Sequence, residues 1–94
     1  MPKTKATEAA ALAKALSHPL RIEILEDLGD GRTSPNQFSN GQDESLGTVS
    51  YHFKALEKLG CLELVDTVPK RGALEHIYSI TTQGKALRTM LASL

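Results

Sequence analysis

Apolar residues recur at intervals of three and four along much of the chain, a spacing that predicts amphipathic helices. The first predicted helix runs from Ala6 to Leu16 and consists mainly of strong helix formers. Pro19 ends that run and suits the first turn of a second helix, which Ser17 or His18 would cap. The apolar stripe of this second helix consists of Leu20, Ile22, Ile24, Leu25 and Leu28.

Two further helices are predicted in the middle of the chain. The shorter one spans Ser34 to Gly41, because the Ser34 hydroxyl can accept hydrogen bonds from the first turn and Pro35 fits the first helical position. The longer one spans Ser45 to Leu59 and ends before a glycine. Its apolar face consists of Val49, Phe53, Leu56 and Leu59.

The last third of the chain changes to a strand pattern before it returns to a helix. Leu62 to Val68 is rich in strand formers, and alternating side chains from Leu74 to Ile80 predict a returning strand with His76 partly buried. Pro69 to Gly72 forms the turn between them. A final helix starts at Thr81 or Thr82 and runs to Leu94. Its apolar stripe consists of Leu87, Met90, Leu91 and Leu94.

This order of elements indicates a fold class. A short capped helix, a turn and a longer helix that leads directly into a hairpin is the order of a winged helix-turn-helix domain. The sequence therefore predicts one domain over residues 1–94, mainly α with a small β-hairpin, in the order α-α-α-α-β-β-α.

Three segments resemble the ArsR-type bacterial repressors. Ala15 to Leu25 is similar to the opening of their second helix, and Thr48 to Gly60 is similar to their recognition helix. Tyr78 to Leu87 resembles the exit from the wing in ArsR, MarR and PadR relatives. The resemblance extends from Leu12 to Leu87 and implies a DNA-binding transcriptional regulator, which we expect to be a sequence-specific repressor.

The resemblance implies that Ser45 to Leu59 enters the major groove of double-stranded DNA, that Ser34 to Gly41 positions it, and that Leu62 to Ile80 is the wing. With the apolar face inward, the polar side chains near the start of the longer helix point outward. There they can bond base edges or phosphates, although an ordinary solvated helix face is the alternative. These outward candidates are Thr48, Ser50, Tyr51 and Lys54.

Three more residues complete the candidate DNA contacts. His52 matches a position that in the resembling family supports packing or contacts a phosphate. Lys70 and Arg71, at the predicted hairpin tip, can reach the DNA backbone or minor groove. Turns are commonly charged, so a solvated turn is the alternative for this basic pair.

The overall charge qualifies this hypothesis. The chain has 11 basic and 11 acidic residues and a net charge of zero, whereas phosphate contacts require Lys and Arg. Only an uneven distribution reconciles the two, with acids at Glu23, Glu26, Asp27 and Asp30 and bases at Lys3, Lys5, Lys70 and Arg71. A winged-helix protein-interaction module without DNA binding therefore remains the rival interpretation.

Metal and catalytic chemistry have little support in the sequence. His18, His52 and His76 lack the converging ligands that zinc requires, and the paired cysteines of the resembling family are missing between Ser34 and Ser50. Cys61, the only cysteine, is interpreted as a small buried residue. Because no catalytic constellation or Gly-rich phosphate loop appears either, we expect no metal, no cofactor and no enzymatic activity.

The two end helices, over residues 6–16 and 82–94, are amphipathic and lie outside the winged core. They either fill the core of one monomer or, as the resemblance implies, form a homodimer interface. No signal peptide or membrane span is recognised, and a single cysteine fits a reducing cytoplasm, so we expect a cytoplasmic protein. The effector, if there is one, is not identified by the sequence.

Overall fold

The computed structural model describes residue 10 and residues 13–93. Residues 10 and 13–15 are helical, while residues 6–9, 11 and 12 of the first predicted helix and Leu94 of the last lie outside the described residues. The elements that follow are α1 (Pro19–Leu28), β1 (Arg32–Thr33), α2 (Pro35–Ser39), α3 (Leu46–Lys58), β2 (Leu62–Lys70), β3 (Ala73–Ile80) and α4 (Thr82–Ala92).

Each of α1 to α4 begins at a side chain that accepts a hydrogen bond from the first turn. The Nδ1 atom of His18 accepts from the Leu20 amide at 3.1 Å, and the Thr81 hydroxyl accepts from the Gly84 amide at 3.0 Å. Ser34 and Ser45 cap α2 and α3 in the same way. Caps of this kind contribute about 1 kcal/mol each. Of the alternative capping residues that the sequence offered, the structure uses His18 and not Ser17 for α1, and Thr81 and not Thr82 for α4.

The strands form one antiparallel sheet of three strands in the order β1-β3-β2. The sequence did not predict β1, in which Arg32 pairs with Ser79 and Thr33 pairs with Tyr78. Two residues are too few to show an alternating pattern, and β1 is a strand only because β3 returns alongside it. The hairpin predicted in the sequence is thus one part of a slightly larger sheet.

The hairpin turn is tighter than predicted. Lys70 pairs with Ala73, so β2 extends past Pro69 and the loop contains only Arg71 and Gly72. Both loop residues have positive φ, 51° and 81°, as a two-residue type I′ turn requires. Pro69 is tolerated within β2 because this strand lies at the edge of the sheet.

The apolar side chains of the hairpin are fully buried only at its base. Leu62, Tyr78 and Ile80 are buried, whereas Leu74 is 60% exposed and His76 is also exposed. The prediction of a partly buried His76 is therefore wrong, because beyond the bulge between Leu64 and Asp66 the hairpin extends away from the core. The far half of the hairpin extends into solvent.

The core lies between α1, α3 and the base of the sheet. Val49, Phe53 and Leu56 are each 0% exposed, which confirms the predicted inner face of α3. The Phe53 ring contacts Phe38 edge-on at 5.9 Å between centroids and Tyr78 at 5.5 Å. The other buried apolar residues are Ala15, Leu20, Ile24, Leu25, Leu28, Cys61, Leu62, Ile80 and Leu87.

The last helix, α4, belongs partly to this core. Leu87 is only 6% exposed, so this member of the predicted apolar stripe lies in the core of the monomer. Leu91 is half-buried and Met90 is 52% exposed. Arg88 fastens α4 to the end of α1 by donating to the Gly29 carbonyl at 2.5 Å and approaching the Asp30 carboxylate at 3.2 Å.

A polar group, here called the His18–Arg21–His52 cluster, joins the start of α1 to α3. The Arg21 Nε atom donates to His52 Nδ1 at 3.0 Å, and its Nη1 atom donates to the Lys14 carbonyl at 2.8 Å. The two imidazole rings lie 4.3 Å apart between centroids. Burial lowers the pKa of His52, the charges of His18 and Arg21 lower it further, and Glu44 opposes them. His52 is therefore held in its neutral form.

Gly84 allows α4 to approach the end of α3 closely, and this gives a test of the packing. A Cβ atom at Gly84 would overlap the carbonyl oxygen of Cys61 and lie 2.7 Å from Ile80 Cγ1. We expect Gly84→Ala to lower the free energy of unfolding by about 1–3 kcal/mol in urea titrations, although alanine is the better helix former.

Gly47→Ala is the matched control, because its Cβ would have one neighbour within 4 Å, Ser45 Oγ at 3.9 Å. This variant should be neutral or more stable by about 0.5–1 kcal/mol. Equal stability gains in both variants would mean that α4 does not lie against Cys61 as described.

The His18–Arg21–His52 cluster predicts a pH dependence of stability. Because the His52 pKa is lowered by folding, the unfolded chain binds this proton more readily. The contribution of neutral His52 to stability is fully present above about pH 6.5, the pKa of histidine in the unfolded chain. It is lost as the pH falls through the lowered pKa of the folded protein. In His52→Asn the amide oxygen can still accept from Arg21, and we expect this variant to lose less stability between pH 8 and pH 5 than the wild type.

Thermal and urea unfolding at each pH measure this difference. His76→Asn serves as the control, since His76 is exposed and its removal should leave the pH dependence of the wild type. The opposite pattern, in which only His76→Asn flattens the dependence, would assign the effect to the wrong histidine.

Candidate nucleic-acid interface

The helices α2 and α3 form the helix-turn-helix unit. The connection over residues 40–45 turns the chain between them, and the contact between Phe38 and Phe53 holds the two helices together. Ser45 caps α3 and also donates to the Thr48 hydroxyl at 3.1 Å. The first turn of α3 is exposed at Leu46 and Gly47, so this end of the helix is open to a partner.

Four of the predicted contact residues lie away from the core on α3. Tyr51 is 63% exposed, Lys54 is also exposed, and Thr48 and Ser50 are half-buried. Lys58 continues the row of Tyr51 and Lys54 one turn further and was not among the predicted contacts. The sequence could have identified Lys58, because residues four positions apart lie on the same face of a helix.

His52 is placed differently from the other candidates. His52 is only 5% exposed, and its Nδ1 atom accepts a hydrogen bond from Arg21, so it lies inside the His18–Arg21–His52 cluster. We therefore remove His52 from the candidate DNA contacts and assign it the packing role that the family position also allowed. It supports the interface from behind, because the Tyr51 ring packs edge-on against it at 5.2 Å.

The basic residues of the wing are both at its far end. Arg71 lies in the turn, and Lys70 is the last residue of β2, with its side chain 60% exposed. The Lys70 ammonium lies 3.5 Å from Oε1 of Glu75, a carboxylate on β3. Lys70 thus already has an anionic partner within the protein, whereas the sequence showed only a basic pair.

Glu75 also connects the wing to α2. Its Oε2 atom accepts from the Ser34 hydroxyl at 2.5 Å. This bond lowers the pKa of Glu75, burial opposes it, and the nearby Lys70 charge lowers the pKa further. The sequence could not single out Glu75, because Ser34 lies 41 positions away along the chain.

A groove of about 470 Å³ lies between the helix-turn-helix unit and the wing. We call it the α3–wing groove. One wall is formed by the starts of α2 and α3, including Asn36 and Ser50, and the other by the far part of the hairpin, including Lys70 and Arg71. Glu75 also lines it. Apolar side chains such as Leu46 and Leu74 supply most of its surface, and the polar side chains on both walls can hydrogen-bond a DNA backbone.

The charges of the described residues are distributed unevenly, as the sequence hypothesis required, while Lys3 and Lys5 lie outside the described residues. Lys54 and Lys58 are exposed on the outer side of α3, and Lys70 and Arg71 on the wing. The acids Glu23, Glu26 and Asp27 are exposed on α1 and point away from α3, because the opposite face of α1 is buried in the core. Acidic residues also lie near the candidate interface, namely Asp43 and Glu44 just before α3 and Glu75 in the α3–wing groove.

Other kinds of site find little support within residues 13–93. No group of three or more His, Cys, Asp and Glu side chains in this part of the chain is arranged to hold a metal ion. The Cys61 thiol is buried as predicted, and burial raises its pKa, which keeps it protonated and unreactive. None of the described helices is both long and apolar enough to cross a membrane.

Comparison with known proteins agrees with this geometry. The family model described as a helix-turn-helix domain matches residues 16–65, just over half of the chain. No significant match is found among the curated proteins. The solved structure of HlyU from Vibrio cholerae N16961 is similar, with 26% identity and a TM-score of 0.75 over 99% of this chain and 96% of HlyU.

Two other solved structures extend the comparison. An ArsR-like transcriptional regulator from Rhodococcus sp. RHA1 has 26% identity and a TM-score of 0.65, over 99% of this chain and 78% of that protein. The transcriptional repressor BigR from Xylella fastidiosa has 22% identity and a TM-score of 0.68, over 98% of this chain and 91% of BigR, and at this identity it supports the fold alone.

The matched segment contains α1, β1, both helices of the helix-turn-helix unit and the start of β2. The β-hairpin that follows supplies the wing. The fold and the family resemblance predicted from the sequence are thus confirmed. The chain belongs to the helix-turn-helix domain family and is an ArsR-type winged helix-turn-helix protein, a DNA-binding regulator of transcription.

Proposed function

We propose that this protein represses transcription by binding, as a homodimer, an inverted-repeat site in double-stranded DNA. The observation that carries the proposal is the two-sided character of α3. Val49, Phe53 and Leu56 are fully buried, and the opposite side exposes Tyr51 and Lys54. A helix whose rotation is fixed in this way presents the same side chains to every DNA molecule that it meets.

In this proposal the reading face of α3 consists of Ser50, Tyr51 and Lys54, with Thr48 at the helix start. Hydroxyl and ammonium groups can bond base edges in the major groove or the flanking phosphates. Tyr51 is the principal reader, because it is the most exposed aromatic residue of the described part and its ring is oriented by the contact with His52.

The wing would lie along the adjacent DNA backbone. Arg71 in the turn and Lys70 beside it are cations that line the α3–wing groove. Contacts of this kind are electrostatic and independent of sequence. They would add affinity for any duplex, while α3 supplies the discrimination.

A homodimer would place two copies of α3 in successive major grooves, about 34 Å apart. The proposed dimer surface lies on α4 and the helical segment before α1, where Met90 is exposed and Leu16 and Leu91 are half-buried. Twofold symmetry of the protein matches an inverted repeat in the DNA. The repressor assignment follows from the resemblance of three segments of the sequence to ArsR-type repressors.

In this proposal the protein acts in the cytoplasm as a binding protein without a catalytic role. The alternative is a winged-helix module that binds another protein instead of DNA. The zero net charge and the carboxylates of Asp43 and Glu44 beside α3 favour that alternative. Binding of the purified protein to random duplex at low salt separates the two, because a DNA-binding winged helix binds any duplex under these conditions.

The reading role of Tyr51 can be tested on a site selected from a random duplex pool. We expect Tyr51→Ala to weaken binding to the selected site by about 1–3 kcal/mol and to affect random duplex much less, because base contacts are lost and phosphate contacts remain. Titrations with both duplexes measure the difference. Tyr51→Phe, which retains the ring, separates the contribution of the hydroxyl.

Phe53→Ala is the control from the opposite face of α3. It should lower the free energy of unfolding by about 3–5 kcal/mol, since Phe53 is 0% exposed. If Tyr51→Ala weakens binding to both duplexes equally, Tyr51 contacts the backbone and does not read the bases.

The dimer is tested by sedimentation equilibrium. We expect the wild type to be dimeric at tens of micromolar, and Met90→Asp, which places a charge on the exposed part of α4, to shift it towards monomer. Leu74→Asp is the control, because Leu74 is equally apolar and 60% exposed but lies on the wing. A monomeric wild type would exclude the proposed assembly.

A further inference from the structure

The carboxylate of Glu75, on β3, contacts both the start of α2 and Lys70 at the end of β2. Its Oε2 atom accepts from Ser34, a fully buried residue whose Oγ also caps α2 by accepting from the Gln37 amide at 3.0 Å. Its Oε1 atom lies 3.5 Å from the Lys70 ammonium. Each oxygen of Glu75 is thus engaged, one by the helix-turn-helix unit and one by the wing cation.

This arrangement links the two walls of the α3–wing groove. The far half of the hairpin extends into solvent, so a hairpin without a tether can bend about its base. The bond between Ser34 and Glu75 is the side-chain hydrogen bond that ties this half to α2. The Glu75 side chain is 14% exposed, which limits competition from water for this bond.

The same carboxylate affects how the wing meets DNA. Glu75 places a negative charge inside a groove that, in the proposed function, faces a phosphate backbone. A phosphate that approaches Lys70 must displace Glu75 from the ammonium and is also repelled by the carboxylate. Both effects act on every duplex, whatever its sequence, because they concern the backbone alone.

We propose that Glu75 is a positioning residue that holds the wing to α2 and restrains Lys70, and thereby limits the affinity of the protein for DNA of any sequence. The inference rests on the proposed wing contact. Glu75 serves as an internal substitute for a phosphate, and Lys70 neutralises a DNA phosphate only in part while the carboxylate is present. The tether and the restraint are separable, since only the second requires a negative charge.

Glu75→Gln separates them. The amide oxygen of Gln can still accept from Ser34, while the charge that holds Lys70 is lost. We expect this variant to bind random duplex and the selected site several-fold more tightly, by the same factor. The plot of log affinity against log salt should become steeper by about 0.9 per protomer, one additional phosphate contact. A purely structural role of Glu75 would not steepen this plot.

Three comparisons complete the experiment. Glu63→Gln removes the same charge from the base of the hairpin and should leave the salt dependence unchanged. In Lys70→Ala the further change Glu75→Gln should have a smaller effect on the slope, because the restrained cation is missing. Thermal unfolding should show that Glu75→Gln is folded, since it retains the bond to Ser34.

An unchanged or flatter salt dependence in Glu75→Gln overturns the inference, as does an equal steepening in Glu63→Gln. The proposed wing contact is tested separately by Arg71→Ala, which should flatten the plot by about 0.9 per protomer. If Arg71→Ala and Lys70→Ala both leave the slope unchanged, the wing does not touch phosphate and the proposed function fails in that respect. If they flatten it while Glu75→Gln does not steepen it, only the inference about Glu75 fails.

Discussion

The packing of one phenylalanine ring determines how the DNA-binding unit is assembled. Phe53 lies on α3 with no exposed surface, and its ring contacts Phe38 of α2 and Tyr78 of β3. A single contact point therefore joins the two helices of the helix-turn-helix unit to the base of the wing. Because the ring has no alternative place to be buried, it fixes the rotation of α3 about its axis and hence which side chains face outward.

Two polar links complete this apolar junction on opposite sides. The His18–Arg21–His52 cluster ties α3 to the start of α1, and the bond between Ser34 and Glu75 ties α2 to the wing. A titratable residue lies in each link: His52 accepts from Arg21 in its neutral form, and the charge of Glu75 holds Lys70 while its bond to Ser34 does not require that charge. The central packing is insensitive to charge, whereas the links on either side respond to pH, salt and an approaching phosphate.

The zero net charge of the chain is compatible with DNA binding because charge acts locally. The acids of α1 are on a surface that faces away from α3, and at physiological ionic strength charges separated by more than about 8 Å are largely screened. A regulator with few basic residues binds random DNA weakly. In the proposed function its selectivity depends on the side chains of α3, whereas the partner that Glu75 provides for Lys70 lowers the affinity for every duplex by the same factor.

Local patterns were sufficient to predict most of the fold. Helical spacing identified the buried face of α3, and capping residues located the starts of α2 and α3 within a residue. The alternation of side chains identified the hairpin, and the order of elements with three similar segments identified the family. Helical spacing, capping and strand alternation each depend on residues that are close together in the chain, so they can be predicted from the sequence.

The tertiary structure decided what depends on residues far apart in the chain. The strand β1 exists only through pairing with β3, and Leu87 is buried only because α4 folds back over the end of α1. His52 lies inside the protein because Arg21 and His18 meet it there, and Glu75 gains its role from Ser34 and the turn that brings back Lys70. Sequence spacing fixes which way a side chain points from its own element, but its partners are set by the packing of elements that only the folded chain brings together.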